Sequence, residues 1–270
     1  MRVGEQHMKS LVLALIVLAV VVIPANADFD AGKAAYDRGD YPVALREFKP
    51  LAEKGHAGAQ YHLGAMYDTG RGVPYDYKEA IRWYRLAAAQ GDADAQFNLG
   101  ATYRTGWGDI PQDYAEAIRW FRPAAEQGHL GAQYSLGGMY KHGDGVLQDY
   151  KEAIRWYRLV ADTGNVWGQY DIGDMYEEGM GVPQDFEEAV RWFRLAADQG
   201  FSPAQAKLGD MYKDGQAVPK NYVLAHMWYN LAAAKGYKGA SPLRDELASK
   251  MTRDQIAEAQ RLAREWKPKK

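Results

Sequence analysis

The chain has 270 residues, 47% of them apolar and 25% charged, with 28 glycines and no cysteine, a globular make-up rather than a disordered or fibrous one. Without cysteine it can hold no disulfide, no thiolate metal site and no thiol nucleophile. With 33 basic residues against 35 acidic ones its formal charge is −2, which is not the electrostatic footprint of a nucleic-acid binder.

At the start, Arg2, His7 and Lys9 precede an uncharged apolar run over residues 11–23, and Pro24 leads into Ala25-Asn26-Ala27. A basic segment, a short apolar core and an A-x-A site predict a secretory signal peptide over 1–27, cleaved after Ala27. The run falls short of the roughly 20 apolar residues of a spanning helix, so an exported, periplasmic or secreted protein without an integral membrane span is expected. Bacterial lipid anchoring would need a cysteine at the processing site. What remains carries 31 basic and 34 acidic residues, a formal charge of −3.

From residue 59 the chain repeats itself at a period of about 36 residues, with units at 59–94, 95–131, 132–167, 168–203 and 204–239. Such a period predicts a stacked solenoid, in which each unit buries its apolar face against its neighbours. Each unit reads as two antiparallel helices. Leu63 and Tyr67 share a face of the first, and Gly64 leaves room for a neighbour. Gly70 and Gly72 end it, since leaving a helix often requires positive φ, and Pro74 blocks continuation. Asp76 opens the second helix with Glu79 three residues on, close to a reciprocal capping box, and the pair recurs as Asp113/Glu116, Asp149/Glu152 and Asp185/Glu188. Ala80, Tyr84 and Ala87 form its small-residue packing stripe, and Gln90-Gly91 stops it. The second repeat is one residue longer, which places the insertion in its Trp107–Pro111 loop.

The segment 28–58 is a shortened capping unit, in which Glu47 replaces the repeated tryptophan and is expected to face water. Pro50 and Pro123 occupy the place of Leu86 and should bend their helices. Leu224, His226 and Met227 make the last full repeat more apolar, which suggests burial under a closing hairpin over 240–270. There Leu243, Leu247 and Met251 share a face, Thr252/Gln255 form a capping box, and Ile256, Ala259, Ala263 and Trp266 make an amphipathic seal. The final Lys267-Pro268-Lys269-Lys270 reads as a solvated end.

The recurring A-x-x-x-L-G-x-x-Y, G-x-G-V-P, D-Y-x-x-A-x-x-W-Y/F and A-A-x-x-G segments, in that order over about 28–239, resemble Sel-one-like repeats of the tetratricopeptide type. The tail AHMWYNLAAAKGYKGA with L-x-x-x-M-T-x-x-Q resembles the usual close of bacterial members. The resemblance implies an all-α fold, a right-handed α/α solenoid with first helices lining a concave face, and a role as an adaptor or regulator in protein complexes. It implies no activity.

Catalytic and ligand-binding patterns are missing. The serines after the signal, Ser135, Ser202, Ser241 and Ser249, stand in neither G-x-S-x-G nor S-x-x-K, and there is no phosphate-cradling G-x-x-x-x-G-K-S/T. The loop aspartates lack calcium-loop spacing, and His56, His62, His129, His142 and His226 form no i, i+4 pair. No cofactor and no metal are expected. The recurrent Trp83, Trp120, Trp156, Trp192 and Trp228 invite a carbohydrate-stacking reading, but one position in every repeat points to packing. Arginine pairs flank them (Arg82/Arg85, Arg119/Arg122, Arg155/Arg158, Arg191/Arg194), and glutamates three residues earlier account for the first of each pair as intrahelical salt bridges.

Function is sought where the repeats refuse to repeat. By analogy with the family, the concave positions lie two, five and six residues after the leucine of Leu-Gly. These are Ala65, Asp68 and Thr69; Ala101, Arg104 and Thr105; Gly138, Lys141 and His142; Asp174, Glu177 and Glu178; and Asp210, Lys213 and Asp214. The charged members are the candidate protein-binding residues, and their order runs from basic in the middle to acidic toward the C-terminal end. A groove of mixed sign suits an extended peptide or a partner's loop, with charge setting register. The expectation is a non-enzymatic, monomeric scaffold or regulator of the bacterial cell envelope whose groove holds an unidentified envelope protein or peptide. An accessory role in envelope polysaccharide or peptidoglycan binding or export is the alternative, and a hydrolase ranks last.

Overall fold

The computed structural model describes residues 27–269; the expected signal segment, apart from Ala27, lies outside the described residues. Among these residues there are fourteen α-helices, and the only extended pairing is an isolated bridge between Trp107 and Ile110. The helices run in pairs: α1 (Phe29–Asp37) with α2 (Tyr41–Glu53), α3 (Ala57–Thr69) with α4 (Tyr77–Ala89), and α5 (Ala93–Thr105) with α6 (Tyr114–Glu126). Then follow α7 (Leu130–His142) with α8 (Tyr150–Ala161), α9 (Val166–Glu178) with α10 (Phe186–Asp198), and α11 (Ser202–Asp214) with α12 (Tyr222–Ala234). The last two helices, α13 (Ala240–Ala248) and α14 (Arg253–Glu265), each pack on α12 rather than on one another. In the first six pairs each helix contacts its mate, and the second helix of each pair contacts the first helix of the next, which is the connectivity of an α/α solenoid.

The Leu-Gly dipeptide explains the tightness of each pair. Leu63, Leu99, Leu136, Ile172 and Leu208 are buried, each side chain contributing roughly 1.5–3 kcal/mol of burial. The following glycine lies against an aromatic ring of the second helix: Gly64 on Tyr84, Gly100 on Phe121, Gly137 on Tyr157, Gly173 on Phe193 and Gly209 on Tyr229. A Cβ at any of the five would sit 2.5–2.8 Å from the ring, so the gap admits the ring itself and nothing more.

Between the helices, Gly70 and Gly72 adopt φ of +66° and +74°, and a Cβ on Gly72 would lie 2.7 Å from Cβ of Tyr41 in the preceding unit. In the last full repeat Ala217 takes that second glycine's place and holds φ at +55°, a conformation costly to a residue with a Cβ. The turn closes where the Asp76 N–H donates to the Tyr67 carbonyl at 3.0 Å, as Asp113 does to Tyr103, Asp149 to Tyr140 and Asp185 to Tyr176. Asp76 then caps α4 by accepting from the N–H groups of Lys78 and Glu79. The reciprocal half of the expected box does not form, because Glu79 turns forward to Arg82 at 3.0 Å. At Thr252/Gln255 both halves are present.

Two other expectations need correction. Glu47 does not face water: it is 6% exposed, and its carboxylate accepts from the Asp28 N–H at 3.2 Å and from Arg46. The chain's own first turn covers it. Nor is the C-terminal tail a free end, because the Lys269 N–H donates to the Asp198 carbonyl at 2.7 Å and Lys269 Nζ meets the Asp198 carboxylate at 2.6 Å. Pro50 and Pro123 stand inside α2 and α6, which continue past them. His226 and Met227 are buried as expected, and Trp266 seals the end edge-on to Trp228 at 6.3 Å between ring centroids.

Candidate partner-binding groove

Successive first helices are joined side chain to side chain along one face. The Tyr134 hydroxyl of α7 donates to Asp171 of α9 at 2.7 Å, and Lys141 Nζ lies 3.1 Å from Asp174 and 3.8 Å from Asp171. From α11, Lys207 reaches back to Asp174 at 3.7 Å and to Glu177. Lys141 and Lys207 thus share three carboxylates, Asp171, Asp174 and Glu177, over three repeats, all five side chains no more than 25% exposed. Burial holds the Asp171 carboxyl above its ordinary range. For Lys207, burial pulls downward, yet the bond to Glu177 and its charge outweigh that and leave the pKa raised.

This geometry sorts the candidate residues. Lys141, Asp174 and Glu177 are engaged in the ladder, so their charges are largely directed at one another. Asp210 accepts from the Tyr229 hydroxyl at 2.6 Å and lies 3.5 Å from Lys213, which is 3.6 Å from Asp214. Arg104, His142 and Glu178 are exposed and take part in no ion pair among the described residues. Asp68 is half-buried and accepts from the Tyr84 hydroxyl at 3.3 Å. Two ladder members, Asp171 and Lys207, escaped the sequence reading. They stand one residue before Ile172 and Leu208, where other repeats carry His62, Asn98 and Ser135, so variability at that position was the available signal.

The repeated aromatic residues on the same helices serve packing. Phe97 lies 5.7 Å from Phe121, Tyr134 5.4 Å from Tyr157 and Tyr170 5.6 Å from Phe193, centroid to centroid. Burial, first, and then the charge of Asp94 raise the Tyr61 hydroxyl to about 12. Trp83, Trp156, Trp192 and Trp228 are buried. The first arginine of each pair meets its glutamate, as in Arg155–Glu152 at 2.7 Å. The second, unaccounted for in the sequence, donates across the repeat boundary to a tyrosine hydroxyl: Arg85 to Tyr103 at 2.6 Å, Arg122 to Tyr140 at 2.7 Å, Arg158 to Tyr176 at 3.1 Å and Arg194 to Tyr212 at 2.6 Å. His56 and His129 cap α3 and α7 through Nδ1. Among the described residues no cluster of three metal-ligating side chains occurs, and no helix is long and apolar enough to cross a membrane.

At the N-terminal end of the groove, α3, α4 and α5 enclose a cleft of about 280 Å³ lined by Asp68, Tyr77, Tyr84, Asn98, Thr105 and Trp107 among others. Trp107 is 49% exposed.

The repeat family described as the Sel1 repeat matches residues 57–92, 93–129, 131–165, 168–201 and 202–237. No curated protein matches the chain. Among solved structures, a protective antigen of uropathogenic Escherichia coli strains that displays an SLR fold is 35% identical, with a TM-score of 0.78 over 87% of this chain and 52% of the antigen. The chain therefore spans about half the length of that relative. A Sel1 repeat protein from Oxalobacter formigenes is 32% identical, with a TM-score of 0.76 over 90% of this chain and 98% of the other.

Proposed function

The chain belongs to the Sel1 repeat family, and from that premise we propose that it is a non-enzymatic scaffold of the bacterial cell envelope. Sel1 repeats generally mediate protein–protein interaction. In this reading residues 1–27 direct export, the mature chain acts as a monomer, and the first-helix groove holds an extended segment of a partner protein. The observation that carries the proposal is the arrangement of that face. Its repeated residues are consumed by packing, while Arg104, His142 and Glu178 remain exposed without ion-pair partners among the described residues. Exposed charges on a pre-formed surface set register and partner choice.

The polymer-binding alternative loses its main support, since four of the five recurrent tryptophans are buried and offer no stacking row. The test uses the mature chain as bait for envelope proteins, beside the double variant Arg104→Glu, Glu178→Lys. A captured protein that is lost with the double variant at unchanged thermal midpoint supports the groove; equal capture by both removes it. Export is tested separately by mass spectrometry of the protein expressed in a bacterial host, where Asp28 is the expected N-terminal residue.

A further inference from the structure

The place where the repeat loses its register is also where the groove keeps a half-buried carboxylate without a cation. Asp109 is the extra residue of the α5–α6 loop, and the loop leans back on the preceding repeat. Asp109 accepts from the Tyr77 hydroxyl at 2.7 Å and meets Lys78 Nζ at 3.0 Å, while Trp107 Nε1 donates to the Tyr75 hydroxyl at 2.7 Å. Other repeats place Arg71, Asp144, Met180 or Gln216 where Trp107 stands. The pinned loop walls the cleft between α3, α4 and α5, with Asp68 on the opposite helix.

Three properties of the cleft narrow what fits. Its volume of about 280 Å³ lies below the roughly 300–1,000 Å³ of pockets for whole organic ligands, so it suits one side chain. Its charge comes from Asp68. The neighbouring Lys78 is spent on Asp109, and no ion pair to Asp68 exists among the described residues. Tyr84 supplies a single bond to Oδ2, and burial together with Asp68 raises its hydroxyl pKa, so it stays a donor. A carboxylate has acceptor sites to spare after one bond. Finally, the aromatic rings of Tyr77 and Trp107 in the wall complement both a cation and its methylene stem.

We propose that this cleft receives one basic side chain, arginine or lysine, from the segment held in the groove, with its cationic head on Asp68 and its stem against Tyr77 and Trp107. The proposal deepens the groove reading and rests on it.

The probe is Nα-acetyl-arginine amide, titrated into isotopically labelled mature protein while the indole N–H resonance of Trp107 is followed. A saturable shift is expected, at least tenfold weaker with the neutral citrulline counterpart and at least tenfold weaker in Asp68→Asn. Thr105→Arg, on the exposed rim, serves as a second variant: a tethered guanidinium should occupy the cleft and abolish the response. An equal response to citrulline, or wild-type binding in both variants, overturns the proposal. Failure of the probe alongside charge-sensitive partner capture leaves the groove reading standing and removes only the cleft. Probe binding as expected with capture unaffected by the Arg104/Glu178 swap removes the groove reading instead.

Discussion

The side-chain amide of Gln90 donates from Nε2 to Oε1 of Gln60 at 2.7 Å, closing its repeat at the end where the second helix stops. Gln127 does the same for Gln96 at 2.9 Å and Gln199 for Gln169 at 2.9 Å. The buried glutamines also donate backwards to the preceding unit, Gln60 to the Ala52 carbonyl, Gln96 to Ala88 and Gln133 to Ala125. Amides thus stitch three of the units to themselves and four to their predecessors, Gln205 donating to Ala197 as well. The intra-unit bond is missing at Gln133 and Gln205, whose buried Oε1 atoms have no partner among the described residues, because thirty residues on stand Thr163 and Lys235 instead of glutamine.

Restoring the rung should stabilise the protein. Thr163→Gln offers the missing donor to Gln133 Oε1, and relief of a buried unpaired acceptor contributes about 1 kcal/mol. The expected result is a thermal midpoint raised by roughly 2–4 °C. Gln90→Thr, which orphans Gln60 Oε1 in the same way, should lower it by a similar amount.

Two adjacent glycines of α7 should respond with opposite sign to the same substitution. A Cβ on Gly137 would lie 2.6 Å from the Tyr157 ring, whereas one on Gly138 meets only the Tyr157 hydroxyl at 3.6 Å. Gly137→Ala forces the ring or the helix aside and should cost about 1–3 kcal/mol. Gly138→Ala fits, and a mid-helix alanine in place of glycine contributes about 0.5–1 kcal/mol of stability. Urea denaturation of the two variants checks both signs.

What the sequence made legible follows from periodicity. The helix pairs, the glycine exits, the aspartate caps and the closing helices are local or recur five times, so spacing alone carries them. Glu47 was misread because position in a terminal repeat says nothing about the chain segment that folds over it; Asp28, nineteen residues earlier, covers it. The arginine pairs are only half explained by sequence because the tyrosine partners of the second arginines sit eighteen residues on, across a repeat boundary. At the candidate groove the sequence named Lys141, Asp174 and Glu177 but not that Asp171 and Lys207 join them. Side chains of three separate helices converge there, and helix-local spacing cannot reveal that.

That convergence makes Lys207 a sensitive position. Lys207→Met leaves Asp174 and Glu177 half-buried with one cation fewer, and the cost should fall between the exposed and the fully buried case, about 2 kcal/mol at pH 7. Lys207 has a raised pKa, so its stabilising share is present throughout the neutral range and is lost only as pH rises through that raised value. Denaturation curves of both proteins at pH 7 measure the deficit; equal midpoints would mean that the ladder contributes no net stability.

His62 should make the fold sensitive to mild acid. Its ring lies flat on Phe48, 4.8 Å away and 4° from parallel, and burial, followed by the charge of Lys33, lowers its pKa below 6.5. The unfolded chain therefore binds a proton that the folded chain resists. Stability is complete above about 6.5 and is lost as pH falls below it. His226, lowered by burial and by Arg244, acts in the same direction. Asp92 and Asp171, whose pKa values are raised by burial, act oppositely, since protonation favours their folded form. Comparing wild type with His62→Asn isolates the histidine, and the next repeat already carries Asn98 at that place. The variant should be less stable at pH 8, having lost the stack on Phe48. Its stability should fall less steeply from pH 7 to pH 5, so that the two curves converge. Parallel curves would mean that His62 takes up its proton equally in the folded and unfolded chain.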